Sequence, residues 1–113
     1  MKRRSIEADL PAEAPVQTLA RVIAQLTEPQ DVQAFLQDLC TPAELEALAD
    51  RWRVVPLLLE DVAYREIHAR TAVSVTTIGR VARCLTNEQG GYHIAIRKIR
   101  RRKQWPTQTG ITP

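Results

Sequence analysis

The sequence predicts an all-α, multi-helical bundle that carries a helix-turn-helix, and three observations predict it. Apolar residues recur at three- and four-residue steps along most of the chain, with no alternating run that would suit a strand. Prolines and capping residues punctuate those runs at helix-length intervals. Toward the C-terminal side, two short helical patterns flank the turn Ala72-Val73-Ser74.

Residues 1–14 read as a flexible charged leader, because Met1-Lys2-Arg3-Arg4 is followed by Glu7, Asp9, Pro11 and Glu13 rather than by the apolar stretch of a signal peptide. A helical domain is expected over residues 15–96. Its first helix follows Pro15 and places Val16, Leu19, Ala20, Ile23 and Leu26 on one side. Thr27-Glu28-Pro29 breaks that helix and starts a second, with Val32, Phe35, Leu36 and Leu39 as its stripe and an end near Cys40. Thr41-Pro42-Ala43-Glu44 is a strong start signal, with Pro42 in the first turn and Glu44 placed for a capping box. The third helix carries Leu45, Leu48, Ala49, Trp52 and Val55 until Pro56, which removes an amide donor and clashes with the Trp52 carbonyl. A kink or early end is expected near Val55, with Leu57, Leu58 and Leu59 still packing inward.

Residues 63–86 form the predicted reading head: a short helix from Ala63 to Thr71, the turn, then a second helix from Val75 to about Thr86 with Ser74 as N-cap. Gly90-Gly91 is expected to end regular structure, and residues 97–113 to form a basic, disordered tail.

With 113 residues the chain is long enough for one well-cored domain, and its 44% hydrophobic but 4% aromatic content calls for an aliphatic core. The charge is split. Residues 1–50 hold 4 Lys and Arg against 9 Asp and Glu, a net of −5; residues 51–113 hold 12 against 4, a net of +8, and together they give the chain's +3. Such a basic half suits a polyanion, although charge alone does not choose between DNA, RNA and an anionic membrane. Cys40 and Cys84 form no CxxC pair, which suits a reduced, cytoplasmic setting, and no apolar run approaches the roughly 20 residues needed to cross a bilayer.

In the head, Ile67 can meet Ile78, Ala82 and Leu85, which share one side of the second helix. The other side shows Thr76, Thr77, Gly79, Arg80 and Arg83, with no acid before Glu88. Short residues let a helix approach base edges, threonine offers a hydroxyl and a methyl, and arginine reaches guanine or phosphate. Arg65, Ser74 and Val75 flank this face, and the helix start adds positive dipole charge for phosphate. Arg97, Lys98, Arg100, Arg101, Arg102 and Lys103 put six cations in seven residues, read as an arm along the DNA backbone. From spacing alone, a helical hairpin with a solvated polar face satisfies the same pattern.

The residues also carry a resemblance. Thr41-Pro42-Ala43-Glu44-Leu45-Glu46-Ala47-Leu48, then Arg51-Trp52-Arg53-Val54-Val55, resembles the start of the central helix in the Trp repressor family. Arg65-Glu66-Ile67, the turn, and Val75-Thr76-Thr77-Ile78-Gly79-Arg80 are similar to that family's helix-turn-helix. Asp38-Leu39-Cys40-Thr41, Arg80-Val81-Ala82-Arg83-Cys84-Leu85 and Gly90-Gly91-Tyr92 are closer still to its YerC/YecD branch. The resemblance spans roughly residues 16–96 and implies a Trp repressor-like, intertwined homodimer whose two heads bind a palindromic operator in double-stranded DNA.

It also marks a candidate effector pocket at Arg51, Arg80, Val81 and Cys84, where Val81 replaces a glycine and Cys84 a serine. A β-branched side chain fills the space an indole needs, and a thiol is a poor substitute for a hydroxyl, so tryptophan binding is not expected. Glu60-Asp61 replaces the basic residue and glycine common before the head, and Asp61 can take the left-handed cap that glycine usually takes.

His68 and His93 have no Cys or carboxylate at ligand spacing, so no metal or other cofactor is expected. No nucleophile–base pair, paired catalytic carboxylates or phosphate loop stands out, so the chain does not read as an enzyme. The expected function is that of a dimeric transcriptional regulator, a repressor. An architectural or replication-associated DNA-binding module and a protein-interaction domain are the alternatives.

Overall fold

A computed structural model describes residues 14–102, and every regular element among them is helical. The leader through residue 13, Lys103 and the rest of the tail lie outside the described residues. The chain divides between Thr41 and Pro42 into two compact units.

The first unit holds α1 (Pro15–Gln25) and α2 (Pro29–Leu39), each opened by a proline in its first turn, where the missing amide costs nothing. Neither helix has a buried residue. Leu19, Ile23 and Leu26 of the predicted stripe are half-buried, while Val16 and Leu39 are exposed.

The second unit holds α3 (Pro42–Arg53), α4 (Val55–Leu59), α5 (Tyr64–Thr71), α6 (Val75–Leu85) and α7 (Gly91–Arg101). The interruption expected at Pro56 occurs as a single turn residue, Val54, after which α4 restarts with Pro56 in its first turn. There the proline's fixed φ suits a helix start, so it begins one helix rather than kinking another. Leu57 is buried behind it, with Leu58 and Leu59 half-buried. The short helix ends in a Schellman motif: Val62 N–H bonds to Leu57 O at 3.1 Å and Asp61 N–H to Leu58 O at 3.1 Å. Asp61 supplies the left-handed residue, with φ 59°.

The core of this unit is Val54, Val55, Leu57, Ile67, Val73, Ile78, Val81 and Ile96, with Trp52, Val62, Leu85 and Tyr92 packed against it. Helix α6 lies at its centre and touches α3, α4, α5 and α7.

Helix α7 corrects the sequence reading. Gly90-Gly91 does not end regular structure; it opens a helix that carries Arg97 to Arg101. Gly90 is the N-cap, a position glycine fills well, and a Cβ there would lie 3.1 Å from the Asn87 carbonyl oxygen. Beyond it Tyr92, Ala95, Ile96 and Ile99 recur at helical spacing, with Ile96 buried and the others half-buried. The apolar stripe therefore runs into the cationic stretch and keeps it helical.

Candidate nucleic-acid interface

The head is α5, its turn and α6. Helix α5 ends on Ala72, which takes the left-handed conformation, φ 63°, and returns its N–H to His68 O at 2.8 Å. Side chains complete the turn. The Thr71 hydroxyl donates to Ile67 O at 2.7 Å and accepts from Val73 N–H at 3.1 Å. His68 Nδ1 donates to Val73 O at 2.7 Å; a carbonyl only accepts, so this nitrogen carries the proton. Arg53, at the end of α3, donates from Nη1 to Thr71 O at 3.2 Å and fastens the turn to the body of the unit. Val73 points into the core from the middle of the turn.

The predicted cap is present. Ser74 Oγ accepts from Thr77 N–H at 3.1 Å, and its hydroxyl lies 3.0 Å from Thr77 Oγ1. Ser74 and Thr77 are thus tied to each other at the start of α6, and Val75, 51% exposed, forms the tip.

Along α6 the two sides separate cleanly. Ile78 and Val81 are fully buried, and Ala82 and Leu85 are half-buried. Ala82 and Leu85 also line a shallow groove of about 360 Å³ with Leu58, Leu59, Val62 and Tyr64. On the far side Thr76, Arg80 and Arg83 are exposed, with Gly79 half-covered between them. They follow one another at three- and four-residue steps, the spacing of one helix face. Neither Arg80 nor Arg83 has an ion-pair partner among the described residues. Arg65 is exposed on α5, immediately before Glu66, which pairs with Arg70 at 2.8 Å.

The cations of α7 do not form one surface. Arg97 and Arg101 lie opposite the buried stripe, Lys98 and Arg100 to either side, and Arg102 follows the last turn. Arg97 donates from Nη1 to Glu88 O at 3.1 Å, and His93 Nε2 donates to Leu85 O at 2.8 Å, so the α6–α7 connection is held to α7.

The candidate effector residues differ in their exposure. Val81 is buried in the core and Arg80 is exposed, while Arg51 is half-buried. Cys84 lines an open groove of about 540 Å³ with Trp52, Asn87, Gly90, Gly91, Tyr92 and Ala95. The Trp52 and Tyr92 rings stack there with centroids 6.4 Å apart and planes 8° from parallel. No group of His, Cys, Asp and Glu among the described residues could hold a metal ion, and none of the described helices is long and apolar enough to cross a membrane.

Sequence reasoning did not anticipate the core packing of Val73 and Val81 or the hydrogen bonds that Arg53 and His68 make to the turn. An apolar residue just after a left-handed C-cap commonly packs inward, which is the signal for Val73. Val81 lies three residues from Ile78 and four from Leu85, on the buried stripe. Nothing local marks Arg53, whose partner is 18 residues away.

A family model described as Trp repressor protein matches residues 14–100. The chain is also 35% identical over 78 residues to an uncharacterized protein, YerC, of Bacillus subtilis (strain 168), a span of 69% of this chain and 75% of that one. No solved structure gives a significant match.

Proposed function

The chain belongs to the Trp repressor family, a family of helix-turn-helix DNA-binding regulators rather than enzymes, and from that premise we propose a homodimeric repressor that reads a palindromic operator. The observation that carries the reading is the far side of α6. Thr76, Gly79, Arg80 and Arg83 make a short, cationic, acid-free surface, backed by the buried Ile78 and Val81 that fix its orientation. A major groove admits such a helix, with arginine suited to guanine and the threonine methyl to thymine. Arg65, Ser74 and Val75 lie around its entering end, and the cations of α7 add phosphate contacts.

Dimerisation is supported by α1 and α2, which are amphipathic yet have no fully buried residue. Tryptophan is not the effector: Val81 occupies core space where the resemblance calls for a glycine, and saturable micromolar tryptophan binding by calorimetry would overturn this. The protein acts in the cytoplasm, where its DNA is. Selection of bound genomic fragments, followed by footprinting, tests the function. A short two-fold-symmetric footprint supports a repressor. Broad coverage supports an architectural module instead, and no footprint beside capture of a protein supports an interaction domain.

A further inference from the structure

Glycine is a poor choice for the middle of a helix, because it loses more backbone freedom on folding than any other residue. Gly79 nonetheless lies in the centre of α6 (Val75–Leu85). The fold does not ask for it. Its backbone is ordinary right-handed helix, and a Cβ built there meets no backbone atom beyond its own turns of α6. The nearest neighbour would be Arg83 Nη1 at 3.5 Å, an ordinary contact with the end of a flexible side chain. The reason for a glycine therefore lies outside the fold, on the surface it opens.

Arg83 shows what that opening is used for. Helical side chains lean toward the N-terminus and lie over the preceding turn. Arg83 does this, and its guanidinium Nη1 lies beside Gly79, one turn back. The Arg83 guanidinium thereby lies one turn nearer the start of α6 than its own Cα, on the side of the helix that also carries Thr76 and Arg80.

We propose that Gly79 and Arg83 act as one specificity-determining unit: Gly79 leaves the gap through which the Arg83 guanidinium reaches a guanine edge where α6 comes closest to the bases. This inference rests on the DNA-reading function above. A bidentate guanidinium–guanine contact needs the fork at one distance and angle, and a methyl at position 79, in van der Waals contact with Nη1, would restrict the angles open to the fork.

The test uses the full-length protein and an operator selected by the wild type, with a scrambled duplex as control. Gly79→Ala is expected to raise Tm by ~2–6 °C, since alanine is the better helix former. Operator affinity should fall at least tenfold while scrambled-duplex affinity is unchanged. Arg83→Lys keeps the charge but loses the fork, and should lower the operator preference by a similar factor. In an Arg83→Ala background, Gly79→Ala should have little further effect. Wild-type operator affinity in Gly79→Ala overturns the unit, as do independent, multiplying losses in the double variant. Failure of the wild type to prefer any duplex sequence is a separate result, which removes the DNA-reading function and this unit with it.

Discussion

Helices α1 and α6 each have 11 residues and one apolar side, yet they differ in what covers that side. Helix α6 buries Ile78 and Val81 completely against four other helices of its own unit. Helix α1 has no fully buried residue, and Val16 on its apolar side is 78% exposed. An amphipathic pattern states that a helix has a partner without stating where the partner is. For α6 the partner is a few residues away along the chain; for α1 the proposed homodimer would supply it from a second copy. The comparison predicts that damage to α6 unfolds the head at any protein concentration, whereas damage to α1 acts through assembly.

The largest effect is expected at Ile78. Ile78→Ala removes a fully buried side chain from the centre of the core, and such changes cost roughly 2–5 kcal/mol. Against a total stability of about 5–15 kcal/mol, this is a large share. Chemical denaturation should show the loss, and it should remain when protein concentration is raised. A loss below about 1 kcal/mol would mean that α6 is not the centre of the unit.

Next in size is the converse substitution on α1. Ile23 is half-buried within its own chain, so Ile23→Asp should leave the helical content of a monomer nearly intact. In a dimer that buries this side chain, the charge should weaken association by tenfold or more. Sedimentation over a concentration series reads this directly, and an unchanged mass distribution would remove α1 from the interface.

The same contrast explains what the sequence disclosed. The head was legible because its signals are local: Ser74 caps within three residues, Ala72 ends α5 four residues from its acceptor, and Ile67 and Ile78 meet across a short turn. Pro56 was legible as an interruption, but its place in the first turn of α4 depended on Val54 taking the turn. Gly90-Gly91 misled because glycine both ends and caps helices, and only the stripe of Tyr92, Ile96 and Ile99 beyond it decides between them. Val81 lies three residues from Ile78 and four from Leu85, and that spacing makes it core. The link from Arg53 to Thr71 is tertiary and leaves no local trace.

A third, smaller effect separates the two basic elements. On α6, Arg80→Gln should reduce discrimination between operator and scrambled duplex. On α7, Lys98→Gln with Arg101→Gln should weaken both alike, because phosphate contacts carry no sequence information. If both residues touch phosphate, the slope of log affinity against log salt should flatten by about 2 for each protomer. An unchanged slope would place α7 off the DNA. These substitutions are cleaner than truncation at residue 97, which would cut α7 immediately after the buried Ile96 and remove the half-buried Ile99.

The smallest effect compares two left-handed residues that flank the head. Asp61 and Ala72 have nearly the same φ, 59° and 63°. The left-handed region brings Cβ close to the following carbonyl oxygen, costing roughly 1–2 kcal/mol, which Asp offsets in part through local hydrogen bonding and Ala does not. Glycine removes the clash but widens the unfolded ensemble by about 0.4–1 kcal/mol. For Ala72→Gly the relief exceeds that loss, so a stabilisation of ~0.5–1 kcal/mol is expected, with no cavity because Ala72 is exposed. For Asp61→Gly the two contributions nearly cancel, and a change within about 0.5 kcal/mol is expected. Paired denaturation curves test the difference. If Ala72→Gly destabilised the protein, the left-handed turn would be held by more than the Thr71, His68 and Arg53 hydrogen bonds, and the methyl of Ala72 would itself contribute to the head.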